Sequence, residues 1–253
     1  MYRLTLILCL LLSPLFLIAQ DNDALILEFA RDKIRQGKAE EAIKELQLGI
    51  LKNDKERPAY LLAQSLCYWD LEQISKAKAN LERIFETEKT NSPLINCDGY
   101  WLKGSIHEFN EEPDQEIVAY KKALSYNVGH PEISVTLALA LIENKKNEEG
   151  LEMLNNVLAQ GFEHSFIYNN KASALLNLDR LDEAKGALEK ALELDAENPF
   201  IYYNYYQYYK KKGDLTKACE NISIATQKNV LDYGLDTDLL FFQSIQKKEC
   251  RNE

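Results

Sequence analysis

The sequence predicts an all-α protein built as a stack of helical hairpins. Three observations predict it. Side-chain types recur every 34 residues through the second half of the chain. Proline and glycine number only 6 and 10 in 253 residues, while Leu, Ala, Glu, Lys and Asn dominate, which favours helix and gives strands little support. Residues 177–199, NLDRLDEAKGALEKALELDAENP, read as the end of one helix, a tight turn, a second helix and a stop.

In chain order, the first element is not part of the stack. Residues 1–20 carry Arg3, an apolar run over residues 4–18 broken by Ser13-Pro14, then Ala19-Gln20 and an acidic start. This is the layout of a secretory signal peptide, and cleavage is expected after Ala19 or Gln20. The run of 15 residues is shorter than the roughly 20 a helix needs to span a bilayer. An uncleaved membrane anchor is the alternative. Cys9 follows Leu8 where lipidation would want a small residue. The chain is accordingly expected to be exported, periplasmic or secreted.

The stack is expected over residues 21–232. Frames opening at Cys97, Pro131, Ser165 and Pro199 are 34 residues apart. Their twentieth places hold Glu116, Gly150, Ala184 and Ala218, and their twenty-fourth hold Tyr120, Leu154, Leu188 and Ile222. The eighth places hold Gly104, Ala138, Ala172 and Tyr206. Asp23 and Pro58 open two more frames, with Ala42 and Ala77 at place twenty and Leu46 and Leu81 at place twenty-four. The step from Pro58 to Cys97 is 39 residues, so NSPLI at residues 91–95 is expected to be a small insertion. Small residues at places eight and twenty let two helix backbones approach closely. One hairpin cannot bury its apolar face alone, so neighbours must stack. Tyr206 and Glu116 stand where small residues are usual, and their units are expected to pack less regularly. Residues 233–253 close the array with one amphipathic helix, its apolar side formed by Leu235, Leu239, Phe242 and Ile245. That helix is needed because a bare last repeat would expose its core.

The likeness to a known family rests on residues 165–198: Tyr168, Ala172, Leu175, Leu181, Asp182-Glu183-Ala184, Leu188 and Ala191. The chain resembles a tetratricopeptide-repeat protein over about residues 23–232, in six units. The resemblance implies a right-handed α-solenoid with a closing helix. It also implies a concave groove lined by places two, five, nine and twelve of each frame. Here those places are largely apolar, and Leu66, Trp69, Trp101, Val135, Leu139, Phe166, Asn169 and Tyr203 are the candidate partner-binding residues. Some members of the family grip a terminal carboxylate with a Lys/Asn/Arg set at these places. That set is absent, Arg31 being the basic residue among the inner places of the first five units. An apolar, aromatic inner face suits an extended or helical segment of a protein partner.

Composition excludes other classes. The formal net charge is −10 and the longest basic run is Lys210-Lys211-Lys212, so nucleic acid is not an expected partner. No phosphate loop and no nucleophile motif is present, and neither a cofactor nor an enzymatic activity is expected. One competing reading makes the chain a metal-dependent or accessory enzyme subunit. His130 and His164 share a frame position and would hold a metal with Glu132 or Glu163, but no ligand pair has local spacing. Another is self-assembly through the tyrosine-rich residues 200–209. In that run Tyr202, Tyr205 and Tyr209 are expected to face the core and Tyr203 the groove. His107, in mid-helix, is expected to be buried and satisfied. Cys219 opens the second helix of the last unit and Cys250 ends the closing helix. Antiparallel packing would bring them together as a disulfide. A Cys67–Cys97 bridge is disfavoured, the first being mid-helix and the second opening the next unit.

Overall fold

The computed structural model describes residues 22–52, 57–127, 129–232 and 236–250. The segment expected to be a signal peptide, residues 1–20, lies outside them. Thirteen helices and no strand are found among the described residues: α1 (Asn22–Arg35), α2 (Ala39–Lys52), α3 (Arg57–Asp70), α4 (Ile74–Phe85), α5 (Pro93–Phe109), α6 (Pro113–Tyr126), α7 (Pro131–Glu143), α8 (Asn147–Ala159), α9 (Ser165–Asn177), α10 (Leu181–Leu194), α11 (Pro199–Lys212), α12 (Leu215–Asp232) and α13 (Asp236–Glu249). The fold is an all-α solenoid of helical hairpins with a closing helix.

The hairpin turn is the most regular feature. The fifteenth place of every frame, Gly37, Glu72, Glu111, Lys145, Asp179 and Gly213, has positive φ, between 56° and 77°. The N–H of the following residue donates to the eleventh-place carbonyl at 2.8–3.0 Å in all six, as in Lys38 to Lys33 and Asp214 to Tyr209. This is the Schellman closure, in which one left-handed residue turns the chain and satisfies a carbonyl that the ending helix leaves orphaned. It holds in the Cys97 frame too, so the 39-residue step leaves the hairpins in register.

Packing groups the chain into two compact units, one ending at Leu137 and one beginning at Ala138. In the first, α3 is surrounded by α1, α2, α4 and α5. Every residue from Leu61 to Cys67 is buried, as expected of a helix enclosed on all sides. Buried Gln64 and Asn80 are satisfied, the Asn80 Nδ2 donating to Gln64 Oε1 at 3.1 Å. Close approach is seen at Gly104, where an added Cβ would lie 2.4 Å from the Tyr120 ring. Tyr120 is fully buried and its hydroxyl donates to Glu108 Oε2 at 3.2 Å, so the ring has no room to retreat. Glu116, at the other irregular place, is also buried.

The supposed insertion divides differently from the sequence expectation. Pro93 and Leu94-Ile95 form the first turn of α5, which reaches 17 residues. Ser92 caps it by accepting from the Ile95 N–H, and Pro93 takes the first position, where its missing N–H costs nothing. The extra loop is instead residues 86–91. From it Glu88 accepts from the hydroxyls of Tyr100, at 3.0 Å, and Tyr126, and pairs with Lys122 at 3.1 Å. The Tyr126 hydrogen bond, first among several, holds the Glu88 carboxyl below its ordinary range.

In the second unit α8 packs on α9, α9 on α10 and α11, and α11 on α10 and α12. The closing helix α13 packs on α12. Phe242 is fully buried in a cluster with Tyr206, Ala218, Ile222 and Ala225, whereas Leu240 and Phe241 are exposed. Of the tyrosines of α11, Tyr205 is buried as expected; Tyr206 and Tyr208 are buried as well, whereas Tyr202 and Tyr209, expected in the core, are only half-buried. The reason lies on the far side of the helix. Tyr206 Oη donates to Glu249 Oε2 of α13 at 2.5 Å, so the closing helix accommodates a large residue at the eighth place. Cys219 and Cys250 are joined by a disulfide. Cys67 and Cys97 are free and buried, and burial pushes each thiol up to about 12.

Candidate functional site

The inner places lie on the first helix of each hairpin, and helical periodicity puts places two, five, nine and twelve on one face. In the first unit Leu66 and Val135 are buried, at 7% and 8% exposure. Trp69 and Trp101 are half-buried. Trp69 meets Phe109 edge-on at 6.0 Å, and Trp101 packs beside Cys97 and Ile133. In the second unit Leu139, Phe166 and Tyr203 are half-buried. Asn169 is buried, and Asn204 Nδ2 donates to its Oδ1 at 2.9 Å. Tyr203 lies against Phe241 and Phe242 of α13 at 5.4 and 5.8 Å. Five of the eight candidate residues thus retain surface, and Leu66, Val135 and Asn169 serve chiefly as packing.

Charge on the inner face of the first unit was not assembled from the sequence. Arg31, at place nine of the first frame, pairs with Asp98, at place two of the third, at 2.6 Å. Ser92 Oγ donates to Asp23 Oδ2 at 2.7 Å, a second link from α5 to α1. Both Arg31 and Asp98 act electrostatically on His130 and on Glu132, the latter at place two of the fourth frame. Burial dominates at both: it pushes the Glu132 carboxyl up to about 7 and lowers His130, which is therefore neutral at pH 7. The Nδ1 of His130 is buried with no hydrogen-bond partner. The signal was legible, because the frames that aligned the apolar places also put Asp98 and Glu132 at one inner place.

The histidine metal edge gains no support. His164 caps α9, its Nδ1 accepting from the Phe166 N–H at 3.2 Å. No group of three His, Cys, Asp or Glu side chains is placed to hold a metal among the described residues. His107 is half-buried and partnered, its Nδ1 2.5 Å from Glu112 Oε2.

The architecture defines a class: helical-repeat proteins whose hairpins share one turn geometry. Comparison with known proteins narrows it. A family model, the tetratricopeptide repeat, matches residues 167–198. The 58 kDa phosphoprotein of Plasmodium berghei is 38% identical over 65 residues, which make up 26% of this chain and 15% of that relative. The Cut9 and Hcn1 hetero-tetramer of the APC/C has a TM-score of 0.68 at 12% identity, covering 90% of this chain and 42% of that one. PilW, a type IV pilus biogenesis factor, has a TM-score of 0.67 at 15% identity, covering 89% of this chain and 100% of its own. At such identities the two structures speak for the fold alone. One repeat of the chain, residues 167–198, matches the tetratricopeptide repeat in sequence, and the helical-hairpin fold is shared with the two structures. That fold is consistent with protein–protein interaction.

Proposed function

We propose that this is an exported, non-enzymatic scaffold that holds a segment of another protein on the inner face of its first helices. The observation that carries the reading is the half-exposure of Trp69, Trp101, Leu139, Phe166 and Tyr203 at inner places. Aromatic and branched side chains left partly open are what an apolar segment needs to anchor. Export rests on the arrangement of residues 1–20. Amino-terminal sequencing of the mature chain tests it: a start at residue 20 or 21 supports export, and an intact Met1 overturns cleavage.

The face itself is tested with a photo-crosslinking amino acid at 139 or 166, and with a control at Val118 on α6, which is 67% exposed. Adducts to one defined partner from 139 and 166 but not from 118 support the reading. Equal labelling from all three positions, or labelling from 118 alone, overturns it.

A further inference from the structure

We propose that the Cys219–Cys250 bond is a latch on the closing helix: once a dithiol reduces it, α13 exchanges with the α13 of a second copy, and the chain self-assembles through the tyrosine-rich end of its stack. The inference is independent of the inner-face reading. The bed beneath α13 is aromatic and aliphatic. Phe242 is buried with Tyr206, Ala218, Ile222 and Ala225, and the rings of Phe200 and Tyr203 lie 5.7 and 5.8 Å from it. Among the described side chains of α13, Phe242 is the one that is buried. Polar contacts gather at the other end of the helix. Glu249 accepts from the Tyr206 hydroxyl at 2.5 Å and pairs with Lys210 at 2.7 Å. Glu249 adjoins Cys250, so the disulfide to α12 fixes the carboxylate that both contacts use. One apolar anchor and one covalently pinned end thus hold the helix.

Both bonded cysteines retain surface, so a thiolate reaches the bond from solvent. The chemistry is thiol–disulfide exchange. A thiolate of the dithiol attacks one sulfur, the S–S bond breaks, and the other cysteine leaves as a thiolate that takes up a proton. The second thiol of the reductant then displaces the first cysteine from the mixed disulfide. Two electrons and two protons pass to the protein, which ends as two thiols while the reductant ends as a disulfide. Cys67 and Cys97 stay out of the exchange, because both are buried and burial disfavours their thiolates. While the bond is intact, α13 is tied to its own α12 and exchange is excluded. Without it, a departing α13 leaves Tyr206 and Ile222 uncovered, and a bare last hairpin must find a cover. The α13 of a second copy fits best, since it brings the same Phe242 anchor and the same Glu249 acceptor to an identical bed, and no contact is lost in the trade. The connection suits exchange too: α12 ends at Asp232 and α13 begins at Asp236, and short hinges favour swapping.

The test uses the full mature chain, oxidised or reduced with dithiothreitol, in size-exclusion chromatography with light scattering over a wide range of concentration. The oxidised chain should keep one mass throughout, and the mass of the reduced chain should double as concentration rises. A mass that reduction leaves unchanged overturns the proposal, and so does loss of hydrogen-exchange protection in α13 without a change of mass. A second measurement identifies the exchanged element. Chains carrying Cys219→Ser are mixed with chains carrying Cys250→Ser, concentrated and reoxidised. Exchange of α13 places Cys250 of the first beside Cys219 of the second, so mass spectrometry should find that mixed link in clear excess over Cys219–Cys219 and Cys250–Cys250 links. Links in the statistical proportions of random oxidation mean assembly by another surface and overturn the proposal.

Discussion

The two compact units use one repeat frame and treat their inner faces in opposite ways. In the second unit the inner residues Asn169 and Tyr203 each accept from a neighbouring amide. Asn204 donates to Asn169, and Gln207 Nε2 donates to Tyr203 Oη at 2.9 Å. Phe200 and Tyr203 are covered in part by the rings of α13. In the first unit Arg31 and Asp98 pair, and Glu132 and the His130 Nδ1 are left over. The frame fixes where a side chain sits, and the residue type decides whether the face is closed or left with unmet bonding capacity. Unmet capacity costs stability, and here it is concentrated on the first unit.

The largest effect expected in the second unit is at its end. Cys219 and Cys250 are 31 residues apart, and the loop-entropy account gives their bond about 3–4 kcal/mol. Cys219→Ser with Cys250→Ser should lower the denaturation midpoint and strip hydrogen-exchange protection from α12 and α13. Protection in α3 should be unchanged. Equal loss in α3 would mean that the two units unfold as one, and the contrast between them would fail as an energetic statement.

A single chemical change separates the units next. Gly104→Ala puts a Cβ 2.4 Å from a fully buried ring and should destabilise by about 1–3 kcal/mol. Gly186→Ala in α10 meets nothing within 4 Å and should stabilise by about 0.5–1 kcal/mol through helix propensity alone. Urea melts of the two variants check the opposite signs. A neutral Gly104→Ala would show that Tyr120 yields, and that the close approach is not a constraint.

Glu132 offers a test with pH as the variable. Its carboxyl is raised from the ordinary 4.5 to about 7 by desolvation, so the native state keeps a proton that the unfolded chain has released. Stability from this group is therefore intact below pH 4.5 and declines as pH rises to about 7. Glu132→Gln should be neutral below pH 4.5 and stabilising above 7, by roughly 1–3 kcal/mol given its half-exposure. Thermal melts at pH 4 and pH 8 measure the difference. A variant no more stable than the parent at pH 8 would show that the Glu132 carboxyl is not held out of water in solution.

How much was legible depends on the kind of signal. The hairpins, their register and the cysteines at the two helix ends could be read from the sequence, because each reflects a local pattern or a simple antiparallel geometry. Side-chain identity at the inner places was legible too, but which of those places retain surface was not. Leu66 looks like Leu139 in sequence, and it is buried because α3 is enclosed on every side. The tyrosine run misled for a similar reason: Tyr206 owes its burial to contacts with α13, 43 residues away at Glu249. The orphaned His130 Nδ1 is the extreme case, since a missing partner leaves no mark on the sequence.

The smallest predicted effect tests the feature the units share. Place fifteen is left-handed in all six hairpins, and glycine occupies it in two, Gly37 and Gly213. An L-residue there has its Cβ too near a carbonyl, at about 1–2 kcal/mol, partly offset by the extra unfolded-state freedom of glycine. Glu111→Gly in the first unit and Lys145→Gly in the second should each stabilise by about 0.5–1 kcal/mol. Asp179 is a poorer choice because it also pairs with Lys211 at 2.5 Å. Gly213→Ala, with open space around its Cβ, should destabilise by a similar amount through φ alone. Urea midpoints measured together would show whether one turn geometry constrains both units equally. A gain from Lys145→Gly without one from Glu111→Gly would mean that the irregular unit holds its turn by packing and not by backbone preference.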